Sequence, residues 1–232
     1  MAQQITKVRT PGGEVMRLAD WTSSEPLYST VEVNSGPFTV LQAFSYGRGD
    51  EVPGSPTGRK SDYEDTNLRG QGGKLPEDEA LLLHSLGIEV FATGAGSVAD
   101  VIPQPDGPHV GLPNMLRLQR DIVVITKISA VKQYTHHPLS WFPAGSGVCE
   151  VNSDAHTNIG AGATGFVAAN NGGDSPADQR PFASPLMVQG GDPFTVDFIA
   201  GPGEVQGLSL GAPDDRMLLR VTCNGPRKRP IA

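Results

Sequence analysis

No stretch of this chain carries a capped helix with a full amphipathic period; its apolar residues come in short runs cut by glycine and proline. With 29 Gly and 20 Pro in 232 residues, these two types make up about a fifth of the chain, above ordinary usage yet below the level of a disordered chain. Short apolar runs between frequent turn residues predict many short strands. At this length a single β domain still buries a substantial core.

The runs themselves carry strand character. Leu27 to Val33 is rich in β-branched and aromatic residues, and Asn34-Ser35-Gly36-Pro37 is a turn cluster. Phe38 to Tyr46 follows with Phe38 and Val40 on alternate positions, so the pair reads as a hairpin. Ala80 to Ala92 mixes a helix-favouring start, Ala80 to Leu83, with a strand-favouring end, Gly87 to Phe91, and reads mostly as strand. Met115 to Val131 is the strongest strand region: Leu116-Arg117-Leu118 alternates and Ile122 to Ile125 is a buried-type run. Phe194, Val196 and Phe198 share a face, and Met217 to Cys223 is the last strand. The expected fold is all-β, an antiparallel β-sandwich with elaborated loops, with residues 1–26 as an N-terminal arm and 27–232 as one domain.

Two long segments, 47–74 and 134–191, read as loop-dominated insertions. A loop of that length in a compact domain is functional or ordered by a partner. Contact with a neighbouring subunit is the expectation here, and removing 50–72 is expected to abolish assembly while leaving the domain folded.

Charge and cysteine content narrow the partners. The net charge of -7 disfavours nucleic acid, and Arg227-Lys228-Arg229 reads as a solvated basic tail. Cys149 and Cys223 leave one disulfide open, with two buried thiols preferred. The polar start, Met1-Ala2-Gln3-Gln4, and the lack of an apolar run near about 18 residues predict neither a signal peptide nor a transmembrane helix. Assembly in a cytoplasm is the expectation.

Candidate chemistry is sparse. Gly160-Ala161-Gly162-Ala163-Thr164-Gly165 fits GxGxxG, but no buried strand precedes it, and Asn170-Asn171-Gly172-Gly173 prevents a following helix. It reads as a flexible loop. His136-His137 with Asp154 and His156 could form a cupin-like metal site, but adjacent histidines on a strand point to opposite faces. Gly145-Ser146-Gly147 lacks the nucleophile-elbow pattern. The pairs Asp214-Asp215 and Glu77/Glu79 sit in turn-like, solvated sequence. Trp141 and Phe142, bounded by Pro138 and Pro143, either plug the core or anchor an interface. No catalytic, cofactor-binding or metal residue is assigned, no cofactor is expected, and the chain reads as a non-enzyme.

Asp65-Thr66-Asn67-Leu68, Gly70 to Gly73, Leu75-Pro76 and the run Leu81 to Val90 form a polar turn leading into a long strand. They resemble the start of a jelly-roll capsid protein of tailless icosahedral bacteriophages. Leu139 to Val148 resembles a following loop in such proteins. Phe194-Thr195-Val196, the Pro/Gly turn at 201–203, and Leu219-Arg220-Val221 with Gly225, Arg229 and Pro230 resemble the closing strands and tail. The resemblance spans 65–230. It implies one jelly roll with long insertions and a structural role in a virion, as a capsid shell subunit that self-assembles through its loops and arm. The implied partners are copies of the chain in trimers or larger rings, other virion proteins and an internal membrane, with no direct nucleic-acid contact. Two other classes stay open: a spike or receptor- and glycan-binding sandwich, and a cupin-like metal enzyme.

Overall fold

The computed structural model describes residues 7–9, 15–17, 21–22, 25–33, 38–53, 59–93, 118–129, 132–142, 149–152, 167–170, 181–200 and 216–228. The chain is all-β. Its strands are β1 (Lys7–Arg9), β2 (Val15–Arg17), β3 (Trp21–Thr22), β4 (Leu27–Val33), β5 (Val40–Ala43), β6 (Ala80–Thr93) and β7 (Ile122–Ile128). They continue as β8 (Lys132–Pro138), β9 (Cys149–Asn152), β10 (Val167–Asn170), β11 (Pro181–Gln189), β12 (Phe194–Ala200), β13 (Arg216–Asn224) and β14 (Arg227–Lys228). Helical structure among the described residues is a turn at 118–121 and a 3-10 turn at Leu139–Trp141.

All strand pairs among the described residues are antiparallel. β6 organises the larger sheet. Along one edge it pairs with β13 and then β14; along the other it pairs with β11 and, at Phe91, with β10. β4 lies outside β13, giving the order β4-β13-β6-β11. The smaller sheet has the order β5-β12-β7-β8. β1 and β2 pair with each other, and β3 pairs with β14.

Eight strands in chain order, β4, β5, β6, β7, β8, β11, β12 and β13, therefore pair first with last: β4 with β13, β5 with β12, β6 with β11, and β7 with β8. The cross-pairs β13 with β6 and β12 with β7 gather these four hairpins into two sheets. Beyond the ends of β5, β7 and β11, Phe194 N–H donates to Gly73 O (2.7 Å), Gly191 N–H to Leu75 O (2.9 Å) and Ser129 N–H to Pro193 O (2.8 Å), joining 73–75, Ser129 and 191–194.

Alternation places the core. β7 reads buried, half-buried in strict succession from Ile122 to Ile128, and Val196 and Phe198 of β12 share that buried side. One cluster joins them to Leu27, Val31 and Val33 of β4, to Leu81, Leu83, Leu86, Ile88 and Val90 of β6, and to Leu219, Val221 and Cys223 of β13. The apolar phase of β6 slips between Leu83 and Leu86. Opposite that slip, between the pairs Ser85↔Asn224 and Leu81↔Arg227, β6 carries one residue more than its partner, a bulge. Gly225 sits there at φ +152°, and a Cβ would lie 1.9 Å from Leu82 O, so the close approach requires glycine.

Four expectations are corrected. Leu27–Val33 and Val40–Ala43 are not a hairpin. β4 and β5 lie in different sheets, with β13 and β12 as their ladder partners, and the turn cluster at 34–37 lies outside the described residues. Leu118 lies in the helical turn, so the strand of the 115–131 region begins at Ile122. The segment 134–191 holds most of β8 and all of β9, β10 and β11. β11 was hidden because five of its nine residues, including Pro181 and Pro185, are exposed and only Val188 is buried. Glu79 and Arg227 are buried, as described below.

Candidate functional site

The long loop after β5 is the most elaborated described feature. β4 is the edge strand of the larger sheet, and an open edge invites pairing with other chains. Residues 62–68 cover it. Thr30 N–H donates to Asp65 O (2.7 Å), the Thr66 hydroxyl to Tyr28 O (2.9 Å), and Tyr28 N–H to Asn67 Oδ1 (2.9 Å). Asn67 Nδ2 donates in turn to Pro26 O (2.7 Å). The cover is held from behind by a bidentate Arg59–Asp65 pair at 2.7 and 2.8 Å, the geometry that suits guanidinium and carboxylate. Val52 and Leu68 drop into the interior.

The described part of 47–74 is held by hydrogen bonds within its own chain. Phe44, where the loop leaves β5, takes φ +63°, which is unfavourable for a bulky residue. Its buried ring lies 5.1 Å from Phe194, and its N–H donates to the Ser29 hydroxyl (3.0 Å), which holds it there. The Tyr46 hydroxyl donates to Thr30 O. Burial pushes the Tyr46 phenol well above its ordinary value, and burial likewise raises Tyr28, partly offset by Arg220. On the outer surface Tyr63 is 65% exposed, with the Arg48 guanidinium 4.3 Å from its ring centroid, a cation–π contact.

Three further polar groups are structural. Arg227 and Glu79 form an ion pair in which both side chains are 1% exposed; Arg227 Nε donates to Glu79 Oε2 at 2.8 Å, and Nη2 donates to the same oxygen. This ties β14 to the start of β6. Asp197 of β12 is fully buried and receives Lys127 Nζ (2.5 Å) and Gln42 Nε2 (3.2 Å), stitching β7, β12 and β5 together. His136 Nε2 lies 2.8 Å from Thr126 Oγ1, and its ring stacks on Phe182 of β11 at 5.1 Å and meets Phe142 edge-on at 5.4 Å.

The fates of the singled-out residues follow. His136 is absorbed by that aromatic stack. The His137 side chain, Asp154, His156, the Gly160–Gly165 loop, Gly145–Gly147 and Asp214-Asp215 lie outside the described residues. Glu77 is exposed, but Glu79 is not solvated, and Arg227 is no part of a solvated tail. The Trp141/Phe142 alternative splits: Phe142 is in the core and Trp141 is 45% exposed. Cys223 is a free buried thiol whose ionisation burial opposes. Among the described residues no group of three or more His, Cys, Asp or Glu side chains is arranged to hold a metal ion. Asp65, Glu79, Asp121 and Asp197 pair with cations, and Asp50 and Asp62 accept backbone N–H groups. Sequence reasoning missed the Glu79–Arg227 and Asp197–Lys127 pairs because their members stand far apart along the chain; only the isolated polar residue inside an apolar strand, Asp197, gave any signal. No protein-family model, curated protein or solved structure matches the chain.

Proposed function

We propose that this chain is a structural subunit of jelly-roll type that assembles with copies of itself into a shell, as a virion capsid protein does. The nested pairing, β4 with β13, β5 with β12, β6 with β11 and β7 with β8, carries the reading. A jelly roll is one long eight-stranded hairpin wrapped into two sheets, and that pairing is its signature; the architecture serves capsids, lectin-like domains and cupins. Fold alone does not choose among them. The space between the two sheets is filled by Val124, Val196, Phe198, Leu83, Ile88 and their neighbours, which favours a scaffold over a chemistry performed inside the barrel. In this reading residues 1–26 are an arm, and β9 and β10 belong to an insertion between the fifth and sixth principal strands. Copies of the chain and other virion proteins are the partners.

The exposed Tyr63 with its Arg48 neighbour supports a second reading, an aromatic platform for glycans on a receptor-binding sandwich. Light scattering after size exclusion, over a wide concentration range and with negative-stain images of the same fractions, tests the shell reading. Trimers, rings or shells are the expected result. A monomer at every concentration contradicts it, and binding on a glycan array then favours the second reading.

A further inference from the structure

The arm before β4 is tied to the sandwich by a short ladder on a firm base. β3 pairs with β14 through two residues, Thr22↔Arg227 and Trp21↔Lys228, and is the outermost strand on that side among the described residues. β14 itself is fixed from its other side. It pairs with Leu81 and Ala80 of β6, Pro226 O accepts Leu82 N–H (3.0 Å), and the buried Arg227–Glu79 pair holds it to the start of that strand. The edge of β14 is thus a prepared acceptor for one extended segment, and β3 shows which segment fits it. β4, by contrast, holds β13 through seven residue pairs. Two pairs fray far more readily than seven. β1 and β2 pair with each other and give the arm no further ladder on the sandwich among the described residues.

Connectivity and charge identify the occupant. β3 and β4 lie along β14 and β13, with residues 23–26 between them. Asn67 Nδ2 donates to Pro26 O (2.7 Å), so β4 stays seated when β3 lifts, and the bend falls at 23–25. A second copy presents the same β3. The ladder on β14 is identical in either arrangement, so exchange changes the hinge and not the bonds. Through β3, the arm carries Lys7, Arg9 and Arg17 against Glu14 and Asp20, a charge of +1, which leaves -8 of the total -7 on the rest of the chain. Two copies meeting body to body repel, whereas a cationic arm laid on the partner's acidic body attracts it.

We propose that the edge of β14 receives β3 of a second copy of this chain, so that copies are linked by exchange of their arms. The inference rests on the shell reading and names one of its contacts. The donated strand repeats the register Thr22↔Arg227 and Trp21↔Lys228 across two chains. Rising concentration favours the exchanged form, because the same ladder then closes between copies.

The test cross-links the register pair. A Trp21→Cys, Lys228→Cys variant of the full chain places two thiols at directly opposed positions, within disulfide reach. Isotope-labelled and unlabelled copies are unfolded, mixed, refolded together and oxidised, and the linked peptide is read by mass spectrometry. The expected result is a 21–228 link joining a labelled half to an unlabelled half in the assembled fraction. Links whose halves always share one label show β3 seated on its own chain. That overturns the exchange and, in an assembling chain, leaves the shell reading standing. Absence of any 21–228 link overturns the contact, and a chain that is monomeric throughout overturns both readings. A second variant, Trp21→Pro with Thr22→Pro, removes both N–H groups of β3. Light scattering should then show a rise of about tenfold or more in the dissociation constant, with the circular dichroism melt of the sandwich retained. Unchanged association of that variant overturns the exchange.

Discussion

The side of the molecule formed by β4 and β5 and the side formed by β8 and β11 are closed by different chemistry. At β4 and β5 the larger sheet is joined to the smaller through hydrogen bonds, Phe44 N–H to the Ser29 hydroxyl and the Tyr46 hydroxyl to Thr30 O, and a loop lays its backbone along the exposed edge. At β8 and β11 the two sheets meet through rings, His136 against Phe182 and Phe142. β8 carries its own edge defences: Lys132 at its start, a register shift before Pro138, and Pro138 at its end. A polar seam is directional and fixes register, whereas a ring stack contributes through buried area and tolerates sliding. The first side therefore sets how the two sheets align, and the second closes the gap.

Removing residues 50–72 gives the largest expected effect. It takes Val52 and Leu68 from the core and uncovers β4, so cooperative unfolding in a circular dichroism melt is lost, contrary to what the sequence suggests for this loop. Glu79→Ala comes next. It leaves the Arg227 guanidinium buried without its counter-charge, and a urea titration should show a loss of about 3–5 kcal/mol. A Glu79→Leu, Arg227→Met double variant should recover most of that loss.

Two substitutions then compare the sides directly. Phe182→Ala should cost about 2 kcal/mol through lost burial of a half-buried ring. Asn67→Ala should cost about 1 kcal/mol through the bonds it makes with Tyr28 and Pro26. Equal costs, or the reverse order, would break the distinction drawn between the two seams.

Alkaline pH separates the sides by a smaller effect. Burial raises the Tyr46 phenol above its ordinary 10.0 and the Cys223 thiol above its ordinary 9.0, so the folded chain keeps protons that the unfolded chain releases. Their contribution is fully present below pH 9. It falls as the pH rises through 9 and 10, by at most about 1.4 kcal/mol per pH unit for each group. In urea titrations between pH 8 and 11, Tyr46→Phe should flatten the part above pH 10, and Phe182→Ala should leave the slope unchanged.

Much of the strand content was legible in the sequence. β4, β7, β12 and β13 announce themselves because each has β-branched or apolar residues on alternate positions with a buried face. β6 was legible despite its leucine-rich start, since Ile88 to Phe91 outweigh it. Pairing was not legible. Asn34 to Pro37 signals a turn, but nothing local says whether the chain turns back into the same sheet or crosses to the other. That depends on partners such as Phe198 for Leu41 and Leu219 for Val31, far along the chain. β8 and β11 were obscure because an edge strand has no second ladder to favour it and carries polar residues and prolines as protection. The buried pair of Glu79 with Arg227 was obscured by a similar cause: each residue sits in a locally polar, turn-rich stretch and is interpretable only with its distant partner in view.

The nested pairing is tested most directly by backbone proton NOEs on uniformly labelled, partly deuterated protein. Cross-strand NOEs linking Leu41 with Phe198 and Val31 with Leu219 are the predicted result. NOEs linking β4 directly to β5 as a hairpin closed at Asn34 to Pro37 would contradict it, and with it the jelly roll on which the shell reading stands.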